Sequence, residues 1–377
     1  MKKTVLAVFH DNNLTSGATK SFLSNLEYMD IQGDKIIAFI PEKPGDLSEY
    51  LMEKGIKVAK YSYGGNVYSK GNSKLDTLKH YLRCYFKSII SWCSAHKAAK
   101  ALKNEKINCI YSNTSTIYFG AWIANILHIP HFWHFREFCL EDQNSIRIWQ
   151  KQFIKLARQS QTIFTISHVI DDYYKQNYGF DNTQMVYNDI SKSYINEVKT
   201  PHEGTNILIT GTICKEKGQE IAIKAVTELS IPNMHLFIAG KKNEYAENLI
   251  KNLCKNNQDK ITFCGLVKDM SLLRSNIDLS LVCSKKEAFG RTIIEDMLAG
   301  IVVIGCDTGA VTELITNQET GYVYEYGNVE DLKQKIIYAI DNTDKTRGIK
   351  SKAFVFAQGF TQNRTAKYVR DIIDGID

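Results

Sequence analysis

The stretch "DLSLVCSKKEAFGRTIIEDM", residues 278–297, decides the fold class. It opens on a short run, "DLSLVC" (278–283), that reads as a buried strand. After the polar "SKK" it becomes helical in pattern from Gly290 or Arg291 onward. A strand that hands over to a helix in this way is one step of a doubly wound sheet. Glu287, Gly290, Arg291 and Glu295 sit at the hand-over, where such sheets bind ligands.

The same alternation runs through the chain. Strand-like runs stand at 5–9, 35–40, 107–112, 131–135 and 162–167, then at 206–210, 235–239, 260–264, 278–283 and 301–305. Continuous apolar strands separated by helix-length segments predict parallel sheets covered on both faces. Two such series predict an α/β chain of two Rossmann-like domains, and 377 residues exceed what one core usually supports. The polar stretch "SKSYINEVKTPHEGTN" (191–206) is the expected join. It gives domains over 1–190 and 205–358, with a final helix over 361–377. Residues just after strand ends, lining an interdomain cleft, become the functional candidates.

Composition narrows the class further. The nine cysteines are odd in number and hold no C-x-x-C pair, which argues for a reducing cytosol over a disulfide framework or zinc site. The opening "MKKTVLAVF" imitates a signal peptide, but its apolar run is too short for one and reads as a first strand. No apolar stretch approaches the roughly 18 residues of a membrane span. Residues 74–106 carry eight Lys or Arg against two acids, a surplus equal to the net charge of +6 of the whole chain. The remainder is balanced, so a nucleic-acid partner is not expected.

At the hand-over after 278–283, the first backbone N–H groups of the helix lack internal partners and favour an anion. Gly290 leaves room for a phosphate, Arg291 adds positive charge, and the Glu295 carboxylate suits the hydroxyls of a ribose. Glu287, still on the loop, suits the hydroxyls of a second sugar. A lone Glu295 is also what any helix carries in its first turns to complement the dipole. Upstream, "NILITGTICKEKGQE" repeats the logic: a strand, Gly211-Thr212, Lys215, Lys217 and Gly218, then a helix from Gln219. "CDTGAVTELI" supplies Gly309 and Glu313 beside the first site.

These residues resemble a family. The run 287–324 looks like the donor-binding segment of the retaining GT-B glycosyltransferases of the family-four, or group 1, type. The match comprises the two glutamates (Glu287, Glu295), "G-x-V-x-E-L-I" (Gly309, Val311, Glu313) and the Thr320-Gly321 turn. "GTICKEKGQE" resembles their phosphate loop and "KITFCGLVKDM" the loop that touches the base. "TSGATKSFLSNL" and "IPHFWHFREF" resemble the first turn and the acceptor-side strand end. The resemblance implies a GT-B fold and transfer of a sugar from a UDP- or GDP-sugar to a glycan or lipid-linked acceptor, without metal or other cofactor. It implies that Glu287 holds the donor sugar and acts in catalysis, with His134 or Arg136 at the anomeric centre. Gly211, Thr212, Lys217, Leu266, Phe289, Gly290, Arg291, Thr292 and Glu295 would bind the donor, and Gly17 would lie on the acceptor side. Thr212 stands where the family often has Arg, a departure that touches the phosphate contacts.

Other readings are weighed on the same residues. His128, His131 and His134 recur every three residues, a poor spacing for a metal site on a strand. "SGATKS" (16–21) lacks the second glycine of a P-loop, and no G-x-G-x-x-G follows a strand. A GT-B sugar-nucleotide epimerase and a non-catalytic GT-B partner subunit remain as alternatives. Within 74–106, an apolar stripe (Leu75, Leu78, Leu82, Tyr85, Phe86, Ile89, Cys93) runs beside Lys79, Arg83 and Lys87. Either the stripe faces the core, or the helix lies on an anionic membrane and the enzyme works at its inner face.

Overall fold

A computed structural model describes residues 2–71, 73–196, 199–254, 257 and 259–375. The chain forms two compact units, residues 1–189 with 363–377, and residues 190–362. The first holds β1 (Thr4–Val8), β2 (Lys35–Pro41), β3 (Lys57–Tyr61), β4 (Val67–Ser69), β5 (Cys109–Asn113), β6 (His131–Phe135), β7 (Ser145–Arg147), β8 (Thr162–Thr165) and β9 (Thr183–Met185). Seven of them form a parallel sheet in the order β3-β2-β1-β5-β6-β8-β9, and β4 pairs antiparallel with β7. The second unit holds β10 (Thr205–Thr210), β11 (Met234–Ala239), β12 (Ile261–Gly265), β13 (Leu279–Val282), β14 (Val302–Cys306) and β15 (Tyr322–Tyr324). Their order is β12-β11-β10-β13-β14-β15, again parallel throughout. The strand order reverses between β1 and β5 in one sheet and between β10 and β13 in the other. Those are the points where a doubly wound sheet opens a crevice for ligand.

The sheets are parallel because their strands are apolar on both faces: β5, β6, β8, β13 and β14 are buried along their whole length. The final helix, Arg364–Asp374, belongs to the first unit and packs on helix Gly17–Ile31. Val369 and Ile373 enter the core there, Arg370 pairs with buried Asp34 (Nε–Oδ2 2.8 Å), and Asp189 accepts the Ala366 N–H at 2.8 Å. Residues 376–377 of the expected helix 361–377 lie outside the described residues.

Helix Lys74–Leu102 overturns the core reading of its apolar stripe. Its buried side is made of small residues, Cys84, Ser88, Ser91, Ser94, Ala95, Ala98 and Ala99, with Leu102. Ser88 accepts from buried Asn66, and Ser91 accepts from the Gly64 N–H. Small side chains let the helix backbone approach its neighbours closely, so the large apolar residues are left on the outside. Leu75 and Phe86 are each 62% exposed.

Candidate functional site

In the second unit, the expected donor residues other than Leu266 gather beyond the carboxyl ends of β10 and β13. Beyond β10 the chain turns through Gly211, whose N–H donates to Ala239 O, and exposed Thr212. A single 3-10 turn, Lys215–Lys217, and Gly218 lead into helix Gln219–Glu228. Buried Gln219 ties this loop together, donating to Thr212 O (3.0 Å) and accepting the Cys214 N–H (3.3 Å). The loop after β13 locks onto it: the Lys285 N–H donates to Glu216 O at 2.7 Å. Gly218, at φ +68°, packs against Cys283, and a Cβ built on it would lie 2.1 Å from Cys283 O.

The lock brings Lys217 and Glu287 together, Nζ to Oε2 at 2.7 Å. Ser284 Oγ donates to the same oxygen at 2.9 Å. Burial pushes the Glu287 carboxyl up, but Lys217, Ser284 and the Gly290 N–H outweigh it and hold the group below its usual range. Lys217 Nζ and the Glu287 carboxyl thus sit side by side. Gly290, at φ +92°, opens helix Arg291–Leu298, and Phe289 turns inward with its ring 6.1 Å from that of Phe360. Thr292 is half-buried in the first turn of that helix.

Glu295 is held from two sides. Arg291 Nε reaches one oxygen at 3.1 Å and Arg274 reaches the other at 2.9 Å. Arg274 is buried, and its Nε donates to Asp296 at 2.6 Å, while Ser280 Oγ donates to the far oxygen of Asp296 at 2.5 Å. Leu266 lies apart, 66% exposed at the end of edge strand β12. Sequence reasoning missed Arg274, Asp296 and Ser284. Ser284 follows a strand end and was findable by that rule, whereas Arg274 sits in an ordinary helical pattern with no local signal.

In the first unit, β1, β5 and β6 end on a second polar cluster. Arg136 donates to Asn113 Oδ1 (Nε, 2.6 Å) and to Asn188 Oδ1 (2.5 Å), and approaches His134 Nδ1 at 3.3 Å. His134 is fully buried and takes the Tyr111 hydroxyl on Nδ1 at 2.7 Å. Burial and the neighbouring Arg136 hold its pKa well below the usual value. Asn113 also reaches His10 (3.2 Å), which sits 3.3 Å from Asp11. Gly17 starts helix Gly17–Ile31 and is exposed. The sequence reading named Arg136 and His134 but missed His10, Asp11, Asn113 and Asn188. His10 and Asp11 directly follow the first apolar run, which was the available signal.

The neutral histidines give a pH prediction. Burial pushes His10 down to about 4, with Asp11 opposing and Arg136 and Lys43 reinforcing; burial alone takes His131 to about 3. The unfolded chain, with ordinary histidines near 6.5, therefore binds more protons than the folded one below that pH. Stability is fully present above about pH 6.5 and falls as pH drops toward 4. The urea midpoint should decline from pH 7.5 to 5, and His131→Asn should flatten part of that slope. A midpoint that does not change with pH would refute the assignment.

Two units, each a parallel sheet wound both ways from its own switch point, make up the GT-B fold. Residues 191–355, most of the second unit, match the family model described as Glycosyl transferases group 1. The chain is 25% identical over 296 residues to an uncharacterized glycosyltransferase of Methanocaldococcus jannaschii, covering 77% of this chain and 82% of that one. It is 28% identical over 149 residues to the N-acetyl-alpha-D-glucosaminyl L-malate synthase of Bacillus anthracis, 38% of each chain. Among solved structures it resembles Anabaena HepE in complex with UDP and glucose, at a TM-score of 0.79 and 20% identity, covering 99% of this chain and 100% of that one.

Proposed function

We propose that this glycosyltransferase moves a sugar from a UDP- or GDP-sugar to a glycan or lipid-linked acceptor, keeping the anomeric configuration and using no metal. The setting is bacterial cell-surface polysaccharide synthesis, carried out from the cytoplasmic side. The observation that carries this reading is the cluster at the β10/β13 switch point. Lys217 is poised to take the diphosphate, Glu287 to take sugar hydroxyls, and Glu295, between its two arginines, to take the ribose. HepE bound to UDP and glucose supports a nucleotide-sugar donor. A lipopolysaccharide core mannosyltransferase of Rhizobium leguminosarum, 28% identical over 133 residues (33% of this chain, 38% of that one), supports a cell-surface glycan as acceptor.

In the transfer, the bond from the anomeric carbon to the diphosphate oxygen breaks and a bond to the acceptor oxygen forms. The acceptor proton passes to the departing phosphate. Lys217 and the first N–H groups of helix Arg291–Leu298 stabilise the charge that develops on the diphosphate.

The test is a thermal-shift and calorimetry panel of UDP, GDP, ADP and their sugars, with and without EDTA. Specific binding at a hundredfold excess over Kd stabilises by about 2.7 kcal/mol. One nucleoside diphosphate is expected to bind whether or not EDTA is present, and Glu295→Ala to weaken it at least about tenfold, roughly 1.4 kcal/mol. If no nucleotide binds, the reading as an active transferase fails and the non-catalytic partner subunit takes its place.

A further inference from the structure

We propose that the outer face of helix Lys74–Leu102 is a docking surface for an anionic lipid bilayer. At about 100° per residue, Leu75, Leu78, Leu82, Phe86 and Ile89 project from the side opposite the small buried residues. Their exposures run from 37% at Ile89 to 62% at Leu75 and Phe86. Such a run of large apolar side chains on one face marks a surface that is covered in use.

The flanks say by what. On one side Lys79, Arg83 and Lys87 stand four residues apart, all exposed. On the other stand Tyr81 and Trp92, 36% and 43% exposed. Aromatic rings and cations beside an apolar face are the side chains that settle at the headgroup level of a bilayer. Beyond Trp92 an open, largely apolar hollow of about 680 Å³ lies between it and Trp149, rimmed by Gln150, Lys151 and Gln152. It extends the apolar face and gives it a further cation.

Charge selects the occupant. The segment carries eight Lys or Arg against two acids, so a second copy would bring like charge against like. An anionic bilayer meets it with the opposite sign. Among the described residues no helix is long and apolar enough to cross a membrane, so the contact is made on the surface. The proposal does not depend on the transferase reading, because it concerns the first unit and needs no donor or acceptor.

The experiment is flotation of the full chain with vesicles of pure phosphatidylcholine, or with 30% phosphatidylglycerol, in about 0.1 M and 0.5 M salt. Each cation at an anionic surface is worth about fivefold in binding. Wild type should therefore favour the anionic vesicles at least tenfold at low salt and lose most of that preference at high salt. Leu82→Glu/Phe86→Glu and Lys79→Glu/Arg83→Glu/Lys87→Glu should each lower binding at least tenfold without shifting Tm, since the side chains are exposed. Equal binding to both vesicle types would overturn the proposal. So would variants that float like wild type, or a dimer in light scattering that Phe86→Glu splits while flotation is unchanged. Because the vesicles contain no sugar acceptor, a chain that binds no nucleotide can still pass this test.

Discussion

Arg274→Met is expected to destabilise the second unit by about 3–5 kcal/mol, the usual cost of removing one partner from a buried ion pair. The guanidinium is only 1% exposed and bonds to Asp296 and Glu295 at 2.6 and 2.9 Å. Burial alone would lower the Arg274 pKa, but the two carboxylates outweigh it and raise it. For Asp296 the balance runs the other way: burial raises its carboxyl, against Arg274 and Ser280. Without Arg274 the fully buried Asp296 would have to keep an uncompensated charge or take up a proton. The loss should therefore shrink as pH falls into the carboxyl range, where protonation removes the charge. Asp296→Leu in the same chain should recover much of the stability, because an apolar pair of similar volume is often no worse than a buried ion pair. Urea unfolding of the single and double variants at pH 7.5 and 5 measures all of this. A loss below about 1 kcal/mol at pH 7.5 would place Arg274 among ordinary surface ion pairs.

The same residue shows where the sequence stops being legible. The strands at 131–135 and 278–283 were readable because a strand buried on both faces has to be apolar throughout. Strand β3, "KVAKY", lies at a sheet edge with lysines at 57 and 60, and so lacks that signature. β4, β7 and β15 have three residues each, too few to show a period. Glu287, Lys217 and Gly290 were readable because the topology sends residues after strand ends to one crevice. Arg274 lies 22 positions before Asp296, and only the fold brings them together. Helix Lys74–Leu102 misleads for another reason. Both of its faces repeat at helical spacing, and the larger apolar residues look like the core. Close packing instead chose the face of serines and alanines.

Gly309→Ala is expected to cost at least tenfold in nucleoside-diphosphate binding, while Gly327→Ala leaves it unchanged. Both glycines have left-handed backbones, φ +61° and +81°. Placing an L side chain there costs roughly 1–2 kcal/mol of strain at either position. What differs is the surroundings. A Cβ at Gly309 would lie 2.3 Å from Glu287 O and 2.4 Å from Glu287 N, whereas at Gly327 nothing lies within 4 Å. Backbone cannot yield as the tip of a flexible side chain can, so the Glu287 loop must shift. The Ala310 N–H that holds Glu287 O at 2.8 Å shifts with it. That movement carries the Glu287 carboxylate away from Lys217 and Ser284, while Gly218 still pins the loop at Cys283. Both variants should therefore melt lower than wild type, Gly309→Ala the further because it adds the clash with Glu287 to the shared backbone strain, and only Gly309→Ala should lose nucleotide. Calorimetric titration of the two proteins with the diphosphate that wild type binds separates strain from placement. If both retain full affinity, the turn after β14 does not position Glu287, and the crevice is shaped by the β10 loop alone.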